Sequence, residues 1–307
     1  MTAPGGDARL AGLRGKLGRT GIWMPPPGGA EEEWRAAATE IERHGFGSAW
    51  VGGGNAAPDS FAQLASLLEG SERLVAATGI ASIWAWEPGE MRAVAEDLAR
   101  RFPGRFVLGL GVSHAPLVES LGQTYERPLE KMRQFLDGMG EPAGEGDAGT
   151  AGERPACVLA ALGPRMLELA RDGADGAHPY FVPAAHTAFA REILGPGPLL
   201  VPEQAVVLEQ DRPAALAAAR AYMSMYLKLP NYVSNLHRLG FTPEDTSAGG
   251  SGRLVDAIVP HGPSAVAARI REHLDAGADH VVVQPLDAEG KFSLGLLAPL
   301  AEALAGI

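Results

Sequence analysis

Residues 19–29 read RTGIWMPPPGG, and this stretch decides between two α/β architectures. RTGIWM is a strand-like run. In a doubly wound open sheet, a Gly-rich loop follows the first strand and presents a row of backbone N–H groups to a nucleotide. Here Pro25, Pro26 and Pro27 follow instead, and proline has no N–H to offer. A closed barrel of parallel strands makes no such demand on its first turn.

Working outward from this stretch, apolar runs alternate with helical stripes. After the first run comes the i, i+3, i+4, i+7 stripe Trp34, Ala37, Ala38 and Ile41, which stops at Gly45. FGSAWV (46–51) precedes a helix over about 59–69 with Phe61, Leu64, Ala65 and Leu68. LVAATGI (74–80) precedes a helix opened by Pro88, with Met91, Val94, Ala95 and Leu98. RFVLGLG (105–111), ACVLAA (156–161), ADGAH (174–178), LLVPEQAVVL (199–208) and DHVVVQP (279–285) complete eight runs, with helical patterns near 126–137, 164–172, 184–194, 213–240, 263–276 and 294–305. The runs are continuous rather than alternating, as in parallel strands covered on both faces. Eight βα units predict a single-domain (β/α)8 TIM barrel over 19–307, with residues 1–18 as a leading segment outside it. The low-complexity stretch near 138–155 reads as a solvated loop, and SAGGSG (247–252) as a second loop.

The composition restricts the partners. Of 307 residues, 26 are Lys or Arg and 37 are Asp or Glu, a net charge of −11. A nucleic acid or an anionic membrane surface needs a basic face, so neither is expected as a partner. No apolar run reaches the ~18 residues of a membrane span. The N-terminus has no apolar signal core, and one cysteine permits no internal disulfide. A cytoplasmic protein is therefore expected.

In a barrel, chemistry gathers where strands end, at their C-terminal tips. Those tips include Gly52–Asn55, Thr78–Trp86, Gly109–His114, Ala160–Arg165, His178–Phe181, Glu203–Val206 and Gln284–Leu286. No Asp or Glu ends strands two to five. HExxH, paired CxxC, GxSxG and Walker patterns are absent, and the histidines are scattered singly, so no metal site is expected. Cys157 falls at the start of a strand, where a small buried hydrophobe is the ordinary reading. Glycines, hydroxyls and aromatics suit a flat cofactor that carries its own chemistry.

Individual stretches leave alternatives open. GLGVSH (109–114) fails the dinucleotide fingerprint because His114 stands where glycine is required. Its glycines permit close approach of a ligand or of a neighbouring strand. In ALGPRMLELA (161–170), Gly163 turns the chain and Pro164 opens a helix, whose free N–H groups and dipole form an anion site that Arg165 can reinforce. It is equally an ordinary βα turn. WVGGGN (50–55) is either a ligand-hugging backbone or a flexible loop. His114, His178 and His186 are candidate proton donors or structural side chains. Trp84, Trp86 and Tyr180 could wall a ring or belong to the core.

Three segments, ATGIASIWAWEP (77–88), AVAEDLARRFPGRFVLGLGVSH (93–114) and VLAALGPRMLELARDGADGAHPY (158–180), resemble the luciferase-like flavin and F420 oxidoreductases, in particular their actinobacterial F420-dependent branch. The similarity extends over about 19–305. It implies a TIM barrel, coenzyme F420 or FMN at its mouth, hydride transfer with a small-molecule substrate, and a homodimer. By position, Thr78–Gly79 matches a non-proline cis peptide behind the cofactor ring, a bond costing about 3–4 kcal/mol. Gly111, Val112 and Ser113 match the loop lining the ring, and Leu162, Gly163 and Arg165 match the turn that holds the cofactor phosphate.

The departures are informative. Sugar-phosphate-oxidising members carry an Asp-His pair after strand two, where this chain has Gly53–Gly54. They carry a Glu after strand four, where this chain has His114. That activity is not implied, and His114 is the remaining candidate for proton transfer. The resemblance thus points to F420-dependent hydride transfer with a small hydrophobic substrate. The alternatives are a reduced-FMN monooxygenase, a non-catalytic flavin-binding protein and a barrel with no cofactor.

Overall fold

The computed structural model describes residues 4–27, 29–52, 59–140 and 154–307. Gly28, Gly53–Gly54 of the triple-glycine stretch, and most of the low-complexity segment lie outside the described residues.

Eight parallel strand runs appear where the apolar pattern placed them: β1 (Thr20–Met24), β2 (Ser48–Val51), β3 (Val75–Thr78), β4 (Phe106–Gly111), β5 (Ala156–Leu159), β6 (Gly176–Ala177), β7 in two pieces (Leu199–Leu200 and Glu203–Val207) and β8 (Val281–Leu286). The two-residue piece Ala81–Ser82 extends β3 along β4. Each run pairs with its sequence neighbour, and β8 pairs with β1.

The ring closes through the single segment 199–207. On one side Val201 N–H donates to Ala177 O and Glu203 N–H to Pro179 O, both at 2.9 Å. On the other, Asp279 N–H donates to Leu200 O at 2.9 Å and Val282 N–H to Pro202 O at 3.0 Å. Pro202 lacks one ladder donor, which is why the run divides into two pieces.

Strand residues alternate between two environments. Ile22, Met24, Ala49 and Val51 pack outward with the helix stripes of α2 (Glu31–Arg43) and α3 (Asp59–Glu69). Trp50, Val75, Ala77, Val107, Val158 and Val282 fill the barrel interior. The leading segment is helical as α1 (Pro4–Leu17), and its Leu10, Leu13 and Leu17 pack against that inner set at the barrel's floor. Arg14 Nε donates to Asp279 at 2.8 Å and ties this helix down.

The remaining helices on the path to the site are α4 (Pro88–Arg101), α5 (Ala115–Ser120), α6 (Pro128–Met139), α7 (Pro164–Gly173) and α8 (Ala184–Leu194). The long helical region 213–240 divides into α9 (Arg212–Tyr226) and α10 (Pro230–Arg238), broken where Pro230 cannot continue the first helix. Among the described residues, no helix is long and apolar enough to cross a membrane.

Candidate active site

The C-terminal mouth of the barrel has two unlike sides. Along β2 to β5, the strand tips carry glycine and alanine. Their missing side chains are replaced by neighbours rather than by open space. A Cβ on Gly52 would meet the Trp23 indole at 2.0 Å, one on Gly109 the Thr78 carbonyl oxygen at 2.1 Å, and one on Gly111 the Ile80 Cγ2 at 2.1 Å. The GLG glycines thus serve close approach of adjoining strand segments. Gly109→Ala is accordingly expected to destabilise the chain by about 1–3 kcal/mol. A urea midpoint equal to that of the parent would contradict this.

Thr78 is fully buried, and its Oγ1 donates to Gly109 O (2.8 Å) and accepts from Gly109 N–H (2.7 Å). The expected cis peptide at Thr78–Gly79 does not occur: no peptide bond among the described residues is cis. The ladder runs unbroken through the step, with Gly79 N–H donating to Val51 O at 2.7 Å. Beyond β4 the chain turns through Ser113, which has a left-handed backbone (φ 56°). Trp84 Nε1–H donates to Val112 O at 2.8 Å and fixes this loop. Trp84 packs near Tyr125, and Trp86 lies edge-on to Phe61 at 5.2 Å. Both tryptophans therefore join the outer core.

The opposite side, built from β6 to β8 and β1, is aromatic and polar. Tyr180 follows β6, its ring 5.2 Å from that of Trp23. Its hydroxyl donates to Gln284 Oε1 (3.0 Å) and lies 2.7 Å from the Tyr226 hydroxyl. Tyr222 Oη–H reaches Tyr180 Oη at 3.1 Å and Glu203 Oε1 at 3.4 Å. Phe181, in a left-handed conformation (φ 58°), donates its N–H to Glu203 Oε2 at 3.1 Å. Glu203 is 1% exposed, and burial pushes its carboxyl up to about 8 against the lowering effect of these bonds. Four of the chain's five tyrosines, Tyr180, Tyr222, Tyr226 and Tyr232, thus surround one buried acid. Sequence reading placed Glu203 at a strand tip without a role. A lone Glu within an apolar strand, and the i, i+4 pair Tyr222 and Tyr226, were the available signals.

Helix α10 crosses the mouth and joins two stretches that the sequence had left unconnected. At one end, the half-buried His114 ring lies 5.5 Å from Tyr232. Burial lowers its pKa, while a hydrogen bond with Asn231 opposes the shift. At the other end, Arg238 reaches over the start of α7: a Cβ on Gly163 would have Arg238 Nη2 as its nearest neighbour, at 3.7 Å. Arg238 Nη1 donates to Asn235 Oδ1 at 2.9 Å. Asn235 is 2% exposed, and its Nδ2 has no hydrogen-bond partner.

Gly163 is the N-cap residue of α7, and the N–H groups of Gly163 and Arg165 have no backbone acceptor among the described residues. Arg165 is exposed. His186 Nε2–H donates to Leu162 O at 2.9 Å and braces the turn from below. Free N–H groups, a helix dipole and the Arg238 guanidinium make this corner fit a phosphate-sized anion.

The other candidates are structural. His178 is fully buried, donates from Nδ1 to Val201 O at 2.7 Å and lies against Trp50. Cys157 is buried and packs outward, with its thiol pushed up to about 12, mainly by burial. Among the described residues, no group of three or more His, Cys, Asp or Glu could hold a metal ion.

Comparison with known proteins agrees with this architecture. The model of the luciferase-like monooxygenase family matches residues 18–280. An uncharacterized protein of Mycobacterium tuberculosis is 34% identical over 101 residues, which is 33% of this chain and 29% of that protein's length. A putative coenzyme F420-dependent oxidoreductase of the same species is 26% identical over 300 residues, covering 80% of this chain and 85% of its own. The coenzyme F420 dependent tetrahydromethanopterin reductase of Methanopyrus kandleri superposes with a TM-score of 0.74 over 94% of this chain and 99% of its own, at 16% identity. The FMN-bound oxygenating constituent of 3,6-diketocamphane monooxygenase from Pseudomonas putida gives a TM-score of 0.64 at 14% identity, covering 94% of this chain and 96% of its own.

Proposed function

Because the chain belongs to the luciferase-like monooxygenase family, we propose that it is an oxidoreductase that binds coenzyme F420 at the barrel mouth and transfers a hydride between it and a small hydrophobic organic substrate. One observation carries the binding half of this reading: the free N–H groups of the α7 N-terminus face the Arg238 guanidinium, an arrangement that suits an anion. The F420-dependent relative aligned over most of the chain supports the choice of deazaflavin over FMN.

Bound there, the cofactor supplies the hydride chemistry; the chain supplies position and charge. The N–H groups of Gly163 and Arg165, with the Arg165 and Arg238 guanidinium groups, would hold the phosphate. The segment Gly111, Val112 and Ser113 would border the ring, with Thr78 and Gly79 holding β3 in register beside it. His114, held neutral by burial, offers a hydrogen bond at the ring edge.

The test is anaerobic oxidation of reduced F420 by a panel of carbonyl compounds, followed by absorbance. Turnover without O₂ is the expected result. Product formation only with reduced FMN and O₂ would replace this reading with the monooxygenase one. His114→Ala is expected to lower turnover about 10-fold, the scale of one hydrogen bond at ~1.4 kcal/mol. Unchanged turnover would remove His114 from the site.

A further inference from the structure

Glu203 is hydrogen-bonded into the tyrosine cluster that follows β6. It shares the inward face of β7 with Val201 and Ala205, while Leu200 and Val206 face outward. Counting protons fixes the direction of its bonds. Tyr180 commits its proton to Gln284 Oε1, which can only accept. Tyr226 must then donate to Tyr180. Tyr222 has one proton and two oxygens within reach, Tyr180 Oη and Glu203 Oε1.

With Glu203 protonated, the carboxyl donates to Tyr222 and Tyr222 donates to Tyr180, so each hydroxyl in the chain has one acceptor for its proton. With Glu203 ionised, Tyr222 turns back to the carboxylate. Passing a proton outward therefore needs the Tyr180 hydroxyl to turn from Gln284 Oε1 to the acceptor, then transfer from Tyr222 and from Glu203 in turn. The titratable groups facing Glu203 are Tyr222 and Tyr226 on α9, Tyr232 on α10 and Tyr180 after β6. β8 contributes the neutral Gln284. Among the described residues, no cation pairs with this carboxyl.

We propose that Glu203, Tyr222 and Tyr180 form a proton chain serving hydride transfer at the mouth, and that the substrate is accordingly a carbonyl compound or its alcohol. The inference rests on the hydride-transfer reading above. In the reducing direction, a bound reduced deazaflavin would supply the hydride, with its electron pair, to the carbonyl carbon as the C=O π pair moves onto oxygen. That oxygen takes the Tyr180 proton, Tyr180 takes one from Tyr222, and Tyr222 takes one from Glu203, which is left as carboxylate. Oxidation of the alcohol runs the chain backwards.

The first test needs no cofactor. Infrared spectra of the apo-protein at pH 7 are expected to show a protonated-carboxyl band that Glu203→Gln removes, with a titration midpoint near 8 that Tyr222→Phe displaces. Gln retains an acceptor for Phe181 N–H and a donor for Tyr222, so this variant should fold. In the second test, with F420 and carbonyl substrates, Glu203→Gln and Tyr180→Phe should each lose about 100-fold or more in kcat, with unchanged F420 affinity. An ionised Glu203 at pH 7, or full turnover with an unaltered pH profile in Glu203→Gln, would overturn the proposal. Failure of the parent protein to bind F420 would overturn the hydride reading instead, while the infrared result would still decide whether Glu203 is held as an acid.

Discussion

Acidification from pH 7 to about pH 4 is expected to unfold this chain steeply. Four histidines are fully buried, each with hydrogen bonds that suit one neutral tautomer. His178 donates to Val201 O and His186 to Leu162 O, and the second ring nitrogen of each has no partner. His273 donates to Gln204 Oε1 and accepts from Thr187 Oγ1. His280 donates to Gly18 O and accepts from Ser48 Oγ. Burial depresses all four, to about 4 for His178, His186 and His280 and about 3 for His273, against 6.5 for a free imidazole. Between pH 6.5 and 4 the unfolded chain takes up these protons and the folded chain does not. The stability they contribute is therefore complete above 6.5 and is lost as the pH falls.

Glu203 has the opposite sign. Its raised pKa means that the folded state holds a proton between 4.5 and about 8 that the unfolded state has released. Four protons less one leaves a net slope of about 4 kcal/mol per pH unit, against a typical total stability of about 5–15 kcal/mol. Loss of near-UV circular dichroism is expected with a midpoint near pH 4–5, and Glu203→Gln should steepen it by one proton. A fold that persists at pH 3.5, or a transition linked to a single proton, would show that the buried histidines do not control acid stability.

The second large effect separates cofactor binding from folding. Gly163→Asp is expected to weaken F420 binding at least 100-fold, about 3 kcal/mol, while the melting temperature holds or rises. Gly163 has an extended backbone (φ −92°, ψ 160°) that any residue adopts, and there is room for a Cβ. Aspartate is a favoured N-cap residue, so the new carboxylate would stabilise α7. The same carboxylate would sit at the anion position, occupying Arg238 and the helix dipole and repelling a phosphate. Arg238→Ala should cost about 10-fold in affinity by removing one charge-assisted contact. Isothermal titration of both variants beside the parent checks this. Undiminished affinity in folded Gly163→Asp protein would place the phosphate elsewhere.

The barrel was legible because its signal is local. Each strand run is a short apolar stretch, and each helix stripe follows its 3.6-residue period; the prolines at 25–27 and His114 in GLGVSH argued against a nucleotide loop. The anion corner was half legible. Gly163 and Pro164 mark a helix start, but Arg238 stands far along the chain, and only the folding of α10 across the mouth brings it near. The role of Glu203, Tyr222, Tyr226 and Tyr232 was missed for the same reason, and Tyr180 read only as a ring wall or a core residue. Each reads singly as a core or rim residue, and their chemistry exists only once β6, β7, β8, α9 and α10 bring the hydroxyls within hydrogen-bonding distance. The Thr78–Gly79 expectation came from resemblance, and here the ladder passes through that step in the trans form.

The most direct measurement is a side-by-side fluorescence titration of the purified apo-protein with F420 and FMN, each oxidised and reduced. Preferential binding of F420, abolished by Gly163→Asp, is the predicted result. Preferential binding of reduced FMN, or binding of neither ring, would contradict the account.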